Sequence, residues 1–179
     1  MLGLRNLGNT CFLNAAVQCL AHVRILRMYF RKCGFEFVHT AGLVRELARV
    51  VQHLWSNSDD PGDAEELLRE IRRVNPLFSG FLQHDLHEVL LTMLDACVEH
   101  SRFVRDAFVG EMLSTLTCGN CKRHSKKTDV IIGLSVSVDG HSTIESALAA
   151  HLKSEQLGEG NEWKCEHCKV FFFLFLFLI

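Results

Sequence analysis

No stretch of the sequence approaches the roughly 20 consecutive apolar residues that a membrane-spanning helix needs. The most apolar stretch, FFFLFLFLI at 171–179, is far shorter. Charge of either sign is not in excess: the formal net charge is −2. That removes any global electrostatic pull toward nucleic acid or an anionic membrane. The N-terminus lacks a cationic start followed by an apolar run of signal-peptide length, because Arg5, Asn6 and Asn9 interrupt it. There is no histidine tract, and no internal repeat beyond a pair of CxxC units. These absences point away from a secreted disulfide scaffold and toward a reducing compartment, the cytosol or nucleus.

What is present is enough for a core. Hydrophobic residues make up 48% of the 179 and charged residues 22%, so a packed state of one medium or two small domains is expected rather than disorder. Residues 11–108 read as helical. Thr10 stands where it would cap a first helix from Cys11 to about His22. Thr40 would cap a second, whose Leu43, Val44, Leu47, Val50, Val51 and Leu54 recur at helical spacing. After the turn-forming SNSDDPGD (56–63), Asp63 and Glu66 form a capping-box pattern for a helix through Arg73. Asp85 and Glu88 repeat that pattern before a helix to about His100, with Leu86, Val89, Leu90, Met93, Leu94 and Cys97 as its expected buried stripe.

From about residue 109 the pattern changes. DVIIGLSVSV (129–138) alternates and is rich in β-branched residues, as a strand would be. STIESALAAHL (142–152) reads as a short helix capped by Ser142 or Thr143, and Gly158 and Gly160 mark a loop before Trp163. The segment 171–179 is anomalous. It reads as a strand buried between partners or, preferably, as a product of altered reading frame or splicing; exposed, it would aggregate.

Of the eight cysteines, four fall in two knuckles, CGNC (118–121) and CEHC (165–168). One CxxC grips a metal from one side; two complete a tetrahedral thiolate cage if the chain between them folds back. Cys118, Cys121, Cys165 and Cys168 are therefore candidate ligands of a structural Zn²⁺ with no open position. Unrelated turns or redox CxxC motifs are the alternatives, though a redox CxxC normally occurs once, at a strand–helix junction. His124 and His167 read as neighbours of the knuckles rather than ligands.

Cys11 lies where the loop GLRNLGNT (3–10) turns into the first helix. Unpaired N–H groups and the positive dipole end favour a thiolate at such a place. A side-chain amide from Asn6 or Asn9 could donate to the oxyanion formed when that sulfur attacks a carbonyl. Cys19, Cys33 and Cys97 have no such approach loop and read as inert.

At this point a resemblance emerges. GLRNLGNTCFLNAAVQCL (3–20) resembles the cysteine box of the ubiquitin-specific proteases, which remove ubiquitin from proteins. GFLQHDLHEVLLTMLD (80–95) resembles that family's second box, with His84, Leu86 and Val89 in place of the usual Gln, Ala and Phe. The two knuckles resemble its zinc-bearing fingers. The resemblance implies an α+β, papain-like cysteine protease of thumb–palm–fingers type. Residues 1–108 would form a helical thumb and 109–170 the zinc-stapled fingers with an incomplete palm, followed by the 171–179 tail. It implies Cys11 as nucleophile, Asn6 as oxyanion donor, and Gln83, Asp85 and His87 as supporting or substrate-binding groups. Ubiquitin and ubiquitinated proteins are the implied partners, with no nucleic acid or membrane.

The family's general base comes from a later Gly-His-Tyr-like box beyond the second knuckle, whereas eleven residues follow Cys168 here. DGHS (139–142) lies between the knuckles and lacks the tyrosine, so His141 reads as a loop residue. General acid–base help is worth about 10²–10⁴ in rate. This chain alone is therefore expected to be inactive or nearly so, and a non-catalytic ubiquitin-binding or regulatory fragment is the alternative.

Overall fold

The computed structural model describes residues 2–32, 42–157, 163–169, 171–172 and 174–178. Thr40, Cys33, Gly158 and Gly160, each given a part above, lie outside them. The chain divides into two compact units, Met1–Val109 and Gly110–Ile179.

The first unit is helical: α1 (Cys11–His22), α2 (Arg24–Lys32), α3 (Gly42–Leu54), α4 (Glu65–Val74), a 3₁₀ turn (Pro76–Phe78), α5 (Leu86–His100) and α6 (Arg102–Phe108). All six apolar positions named for the second predicted helix are buried on α3. α5 packs on α1, α3 and α6. Its Val89, Met93, Leu94 and Cys97 are buried, whereas Leu90 is half-buried and Leu86 is exposed. Leu86 is the first residue of α5, one position past the cap, where the stripe has not yet turned onto the core.

The caps correct the sequence reading in three places. Thr10 occupies the position before α1, but its hydroxyl makes no cap bond to the helix. α4 begins at Glu65 behind Ala64, with no side-chain cap. The expected Asp63–Glu66 box does not form, because one Asp63 oxygen reaches the Glu65 N–H and the other pairs with Arg5. Asp85 does cap α5, its Oδ1 accepting from the His87 N–H at 2.6 Å, but as a single cap and not as the expected box with Glu88. The helix α2 was not foreseen.

The second unit holds antiparallel sheet. β1 (Gly110–Cys118) pairs with β2 (His124–Ile131), and a four-stranded sheet runs in the order β2-β1-β6-β3, with β3 at Glu155–Leu157 and β6 at Leu174–Leu178. β4 (Trp163–Lys164) pairs with β5 (Phe171–Phe172). α7 (Ile144–His151) carries a full capping box between Thr143 and Ser146. The strand expected over 129–138 stops at Ile131, where its partner ends: Gly110 pairs with Ile131. Among the described residues, no helix is long and apolar enough to cross a membrane.

Leu47 sits fully buried on α3 among the helices of the first unit. Leu47→Ala should destabilise that unit by about 2–5 kcal/mol through lost transfer energy and a residual cavity. Urea unfolding followed by far-UV circular dichroism measures it.

Candidate active site and metal centre

The loop before α1 is fixed on two sides. Against α1, the Asn14 amide donates to the Arg5 carbonyl at 3.0 Å and the Gln18 amide to the Leu2 carbonyl at 3.2 Å. Against the turn before α4, Arg5 N–H bonds the Gly62 carbonyl at 2.9 Å, Leu4 bridges Gly62, and Arg5 pairs with Asp63 at 3.1 Å. Gly62 has to be glycine for this approach: a Cβ there would meet the His53 ring at 2.6 Å.

Within that frame the loop folds around one amide oxygen. Asn6 Oδ1 accepts from Gly8 N–H, Thr10 N–H and the Thr10 hydroxyl, each at 3.1 Å. The Thr10 hydroxyl oxygen accepts in turn from Leu7 N–H at 3.0 Å. Gly8 at φ +93° and Asn9 at φ 53° supply the left-handed conformations this tight turn needs. With its oxygen so engaged, Asn6 turns its NH₂ end outward from the turn.

Cys11 is exposed at the first position of α1. The first intrahelical bond starts from the Asn14 N–H to the Thr10 carbonyl at 3.0 Å. The N–H groups ahead of it, at Cys11, Phe12 and Leu13, therefore have no helical carbonyl to bond, and no side chain caps them.

The second box comes to the same place. Gln83 Nε2 lies 3.6 Å from Cys11 Sγ. The segment carrying it is tied at several points. Arg72 donates to the Phe78 carbonyl at 3.0 Å and the Gly80 carbonyl at 2.6 Å. Asn9 Nδ2 donates to the Phe81 carbonyl at 2.9 Å. The His84 ring packs edge-on against Phe12 and Phe78, with ring centroids 5.3 Å away in each case. Asn9 is thus engaged in holding this segment, which leaves Asn6 as the better placed of the two loop amides. Asp85 is occupied as the α5 cap, and His87 is exposed on the first turn of α5. The positioning parts played by Asn14, Arg72 and His84 were not read from sequence. Only the repeated asparagine of the first box hinted at any of them.

Of the remaining cysteines, Cys19 is exposed on α1 and Cys97 is buried, its thiol pushed up to about 12 by burial.

In the second unit, the Sγ atoms of Cys118, Cys121, Cys165 and Cys168 lie within 4.8 Å of one another and could hold a metal ion. Cys118 and Cys165 are buried, and Cys121 and Cys168 half-buried. The Cys121 N–H holds the Cys118 thiol below its ordinary value. Cys121 is pushed up to about 11: the Arg123 N–H favours its thiolate, but burial and three neighbouring thiols outweigh that. Four acids this close cannot all ionise unless a cation joins them. His124 bonds Thr117 rather than the cluster, its Nδ1 lying 2.9 Å from the hydroxyl, and His167 is exposed.

Comparison with known proteins bears on the family and the fold. The family model described as ubiquitin carboxyl-terminal hydrolase matches residues 2–167. Human ubiquitin carboxyl-terminal hydrolase 42 is 31% identical over 93% of this chain, which covers 14% of that protein. Rat ubiquitin carboxyl-terminal hydrolase 2 is 29% identical over 94% of this chain, covering 35% of the relative. The chain thus spans well under half the length of these relatives. Among solved structures, the SAGA Ubp8/Sgf11/Sus1/Sgf73 DUB module bound to ubiquitin aldehyde matches with a TM-score of 0.79 at 21% identity, over 99% of this chain and 44% of that one.

Thiol accessibility separates the cysteines. Near pH 8, about the ordinary thiol range, iodoacetamide should modify Cys11 and Cys19 in the folded protein. Cys97 should react only after unfolding, its thiol being raised to about 12. Peptide mapping by mass spectrometry reads the order.

Proposed function

Because the chain belongs to the ubiquitin carboxyl-terminal hydrolase family, we propose that it is the part of a cysteine-type deubiquitinase that carries the nucleophile. The observation that carries this reading is the meeting of two boxes 72 residues apart in sequence at one exposed sulfur. Cys11 Sγ attacks the carbonyl carbon of ubiquitin's C-terminal glycine. The carbonyl oxygen takes the negative charge as the S–C bond forms, and the uncapped N–H groups of α1 together with the Asn6 amide would donate to it. The amine then leaves with a proton, and water hydrolyses the thioester. Asp85 and His87 support the approach of the glycyl tail from the start of α5. Ubiquitin as the partner is supported by the family and by the ubiquitin aldehyde bound to the structurally similar module.

Residues 1–108 would act as the thumb and 109–170 as the fingers with part of the palm of a papain-like fold, in the cytosol or nucleus. The four thiolates suit Zn²⁺. Zn–S bonds of about 2.3 Å set tetrahedral neighbours about 3.8 Å apart. Cys118 and Cys168 lie 3.8 Å apart, and Cys121 and Cys165 3.7 Å. With four protein ligands, the ion's contribution would be to join the two knuckles and to stabilise the fold.

A second reading is favoured by one observation. Among the described residues of the helical unit, the side chain hydrogen-bonded to Cys11 is an amide, not an imidazole. Departure of a lysine amine needs a proton donor, and general acid–base help is worth about 10²–10⁴. These 179 residues by themselves would then bind ubiquitin and turn over slowly or not at all.

A ubiquitin probe with a C-terminal electrophile should label wild type at Cys11 and leave Cys11→Ala unlabelled; labelling elsewhere would remove Cys11 from its role. Cleavage of a ubiquitin–fluorophore conjugate by the chain should be slow or undetectable, and robust Cys11-dependent turnover would overturn the second reading. Metal analysis should find about one zinc per chain, lost on acidification as the thiolates take up protons. Cys165→Ser should abolish zinc binding and lower the melting temperature of the second unit. Full stability without zinc would refute the structural metal.

A further inference from the structure

We infer that Gln83 is a catalytic residue, its side-chain N–H serving as a second donor to the oxyanion formed at Cys11. The inference rests on the reaction proposed above and adds a group to it.

The first support is position. Gln83 Nε2 stands 3.6 Å from Cys11 Sγ. Sulfur is a weak acceptor, so even at an ordinary N–H···S distance it holds the amide loosely. The resting contact therefore leaves the donor nearly uncommitted. When Cys11 adds to a carbonyl, the new oxygen sits two bonds from that same sulfur. A small side-chain rotation carries the amide hydrogen from the sulfur to the oxygen, where charge has developed. The bond is thus stronger in the tetrahedral state than before attack, which is the condition for accelerating the reaction.

The second support is that the amide is delivered by a built segment. Arg72 holds the carbonyls of Phe78 and Gly80, and Asn9 holds that of Phe81. On the other side of Gln83, His84 is wedged against Phe12, the residue next to the nucleophile, and against Phe78. Asp85 then caps α5. The backbone is anchored two residues before and one residue after Gln83, and one of those anchors is the neighbour of Cys11 itself. Gln83 reaches the sulfur from a segment other than the loop that carries Asn6, so an oxyanion there would be approached from outside that loop.

The third support is that the amide does little else. Gln83 is exposed, and among the described residues its side-chain hydrogen bond is the one to Cys11. Its substitution therefore leaves the core untouched.

Ubiquitin aldehyde tests this. Its terminal aldehyde adds the Cys11 sulfur across C=O, the thiol proton ending on the oxygen, so that a tetrahedral adduct mimics the intermediate. Three measurements are made on wild type, Gln83→Ala and Gln83→Glu, the last matching glutamine in shape but without the N–H. They are the dissociation constant for ubiquitin aldehyde, that for unmodified ubiquitin, and the rate of Cys11 alkylation by iodoacetamide. A single oxyanion donor is worth about 10²–10³ in an enclosed site; at this exposed one, both variants should bind the aldehyde on the order of tenfold more weakly. Ubiquitin affinity and, in Gln83→Ala, alkylation should stay within about twofold of wild type, as befits a donor that acts only once the oxyanion exists. Equal aldehyde affinity in all three proteins would overturn the assignment. So would a matching loss in alkylation, which would place Gln83 on the sulfur, or in ubiquitin affinity, which would make it a docking residue. If wild type itself forms no adduct at Cys11, the proposed reaction falls and this inference with it.

Discussion

The Thr10 hydroxyl has two possible partners, and its choice between them arranges the rest of the site. In the position before α1, its side chain would ordinarily accept from an N–H of the first helical turn. Instead it donates to Asn6 Oδ1 and accepts from Leu7 N–H, at 4% exposure. Two consequences follow. The N–H groups at the start of α1 are left for whatever negative charge arrives at Cys11. The Asn6 oxygen is drawn into the turn, which presents the donor end of that amide outward. A helix-capping threonine would have satisfied the helix and released Asn6. The loop gives up a cap worth about 1 kcal/mol and leaves the first N–H groups of α1 uncapped. Backbone in left-handed conformations at Gly8 and Asn9 is part of the same arrangement.

Those donors matter only if the second box is brought beside them. No local rule of sequence predicts that. Cys11 and Gln83 are 72 positions apart, and their meeting depends on α5 packing against α1. The aromatic cluster of Phe12, Phe78 and His84 converts that helix packing into a position for one amide. The substitution of His84 for the family's usual glutamine places an aromatic edge where a flexible amide is the norm. This stiffens the neighbour of Gln83 by packing rather than by hydrogen bonding.

What the sequence made legible is the part governed by short-range periodicity. α1, α3 and α5 were readable because apolar residues recur on one face and a turn former precedes each run. α2 was not, because RILRMYFRK interleaves four cations with its apolar residues and its start follows α1 almost directly; Leu26 and Phe30 are nonetheless buried. The failed cap at Asp63 is a competition between partners: a tertiary ion pair with Arg5 took an oxygen that the local pattern assigned to the helix. The overlong strand has the same kind of cause. Alternation continues past Ile131 in the sequence, but β1 has no residue left to pair with it. At the candidate site, the cysteine at a helix start and the two CxxC knuckles were legible in residue type and spacing, and the structure brings the four knuckle sulfurs together. The division of labour between Asn6 and Asn9 did not, since it depends on where the Phe81 carbonyl lies.

The second unit is held together differently from the first. Among residues whose side chains are described, its buried set contains Cys118, Ala147 and Cys165, against a long list of leucines and valines in the helical unit. Two of those three are knuckle cysteines, so among these residues the cysteine cluster makes up most of what is buried. The chain supplies a second closure. β6 lies between β1 and β3 and reaches back to pair Leu174 with Cys118, so the strand leaving the second knuckle is hydrogen-bonded to the first. The apolar segment therefore has backbone partners on both sides. Of the two edge strands, β2 and β3, β2 carries Lys126 and Lys127 beside Ser125 and His124, a charged edge of the kind that resists further strand addition. Sheet pairing brings the knuckles near each other, and the sulfurs then sit close enough to repel as thiolates. A cation held at their centre would turn that repulsion into attraction.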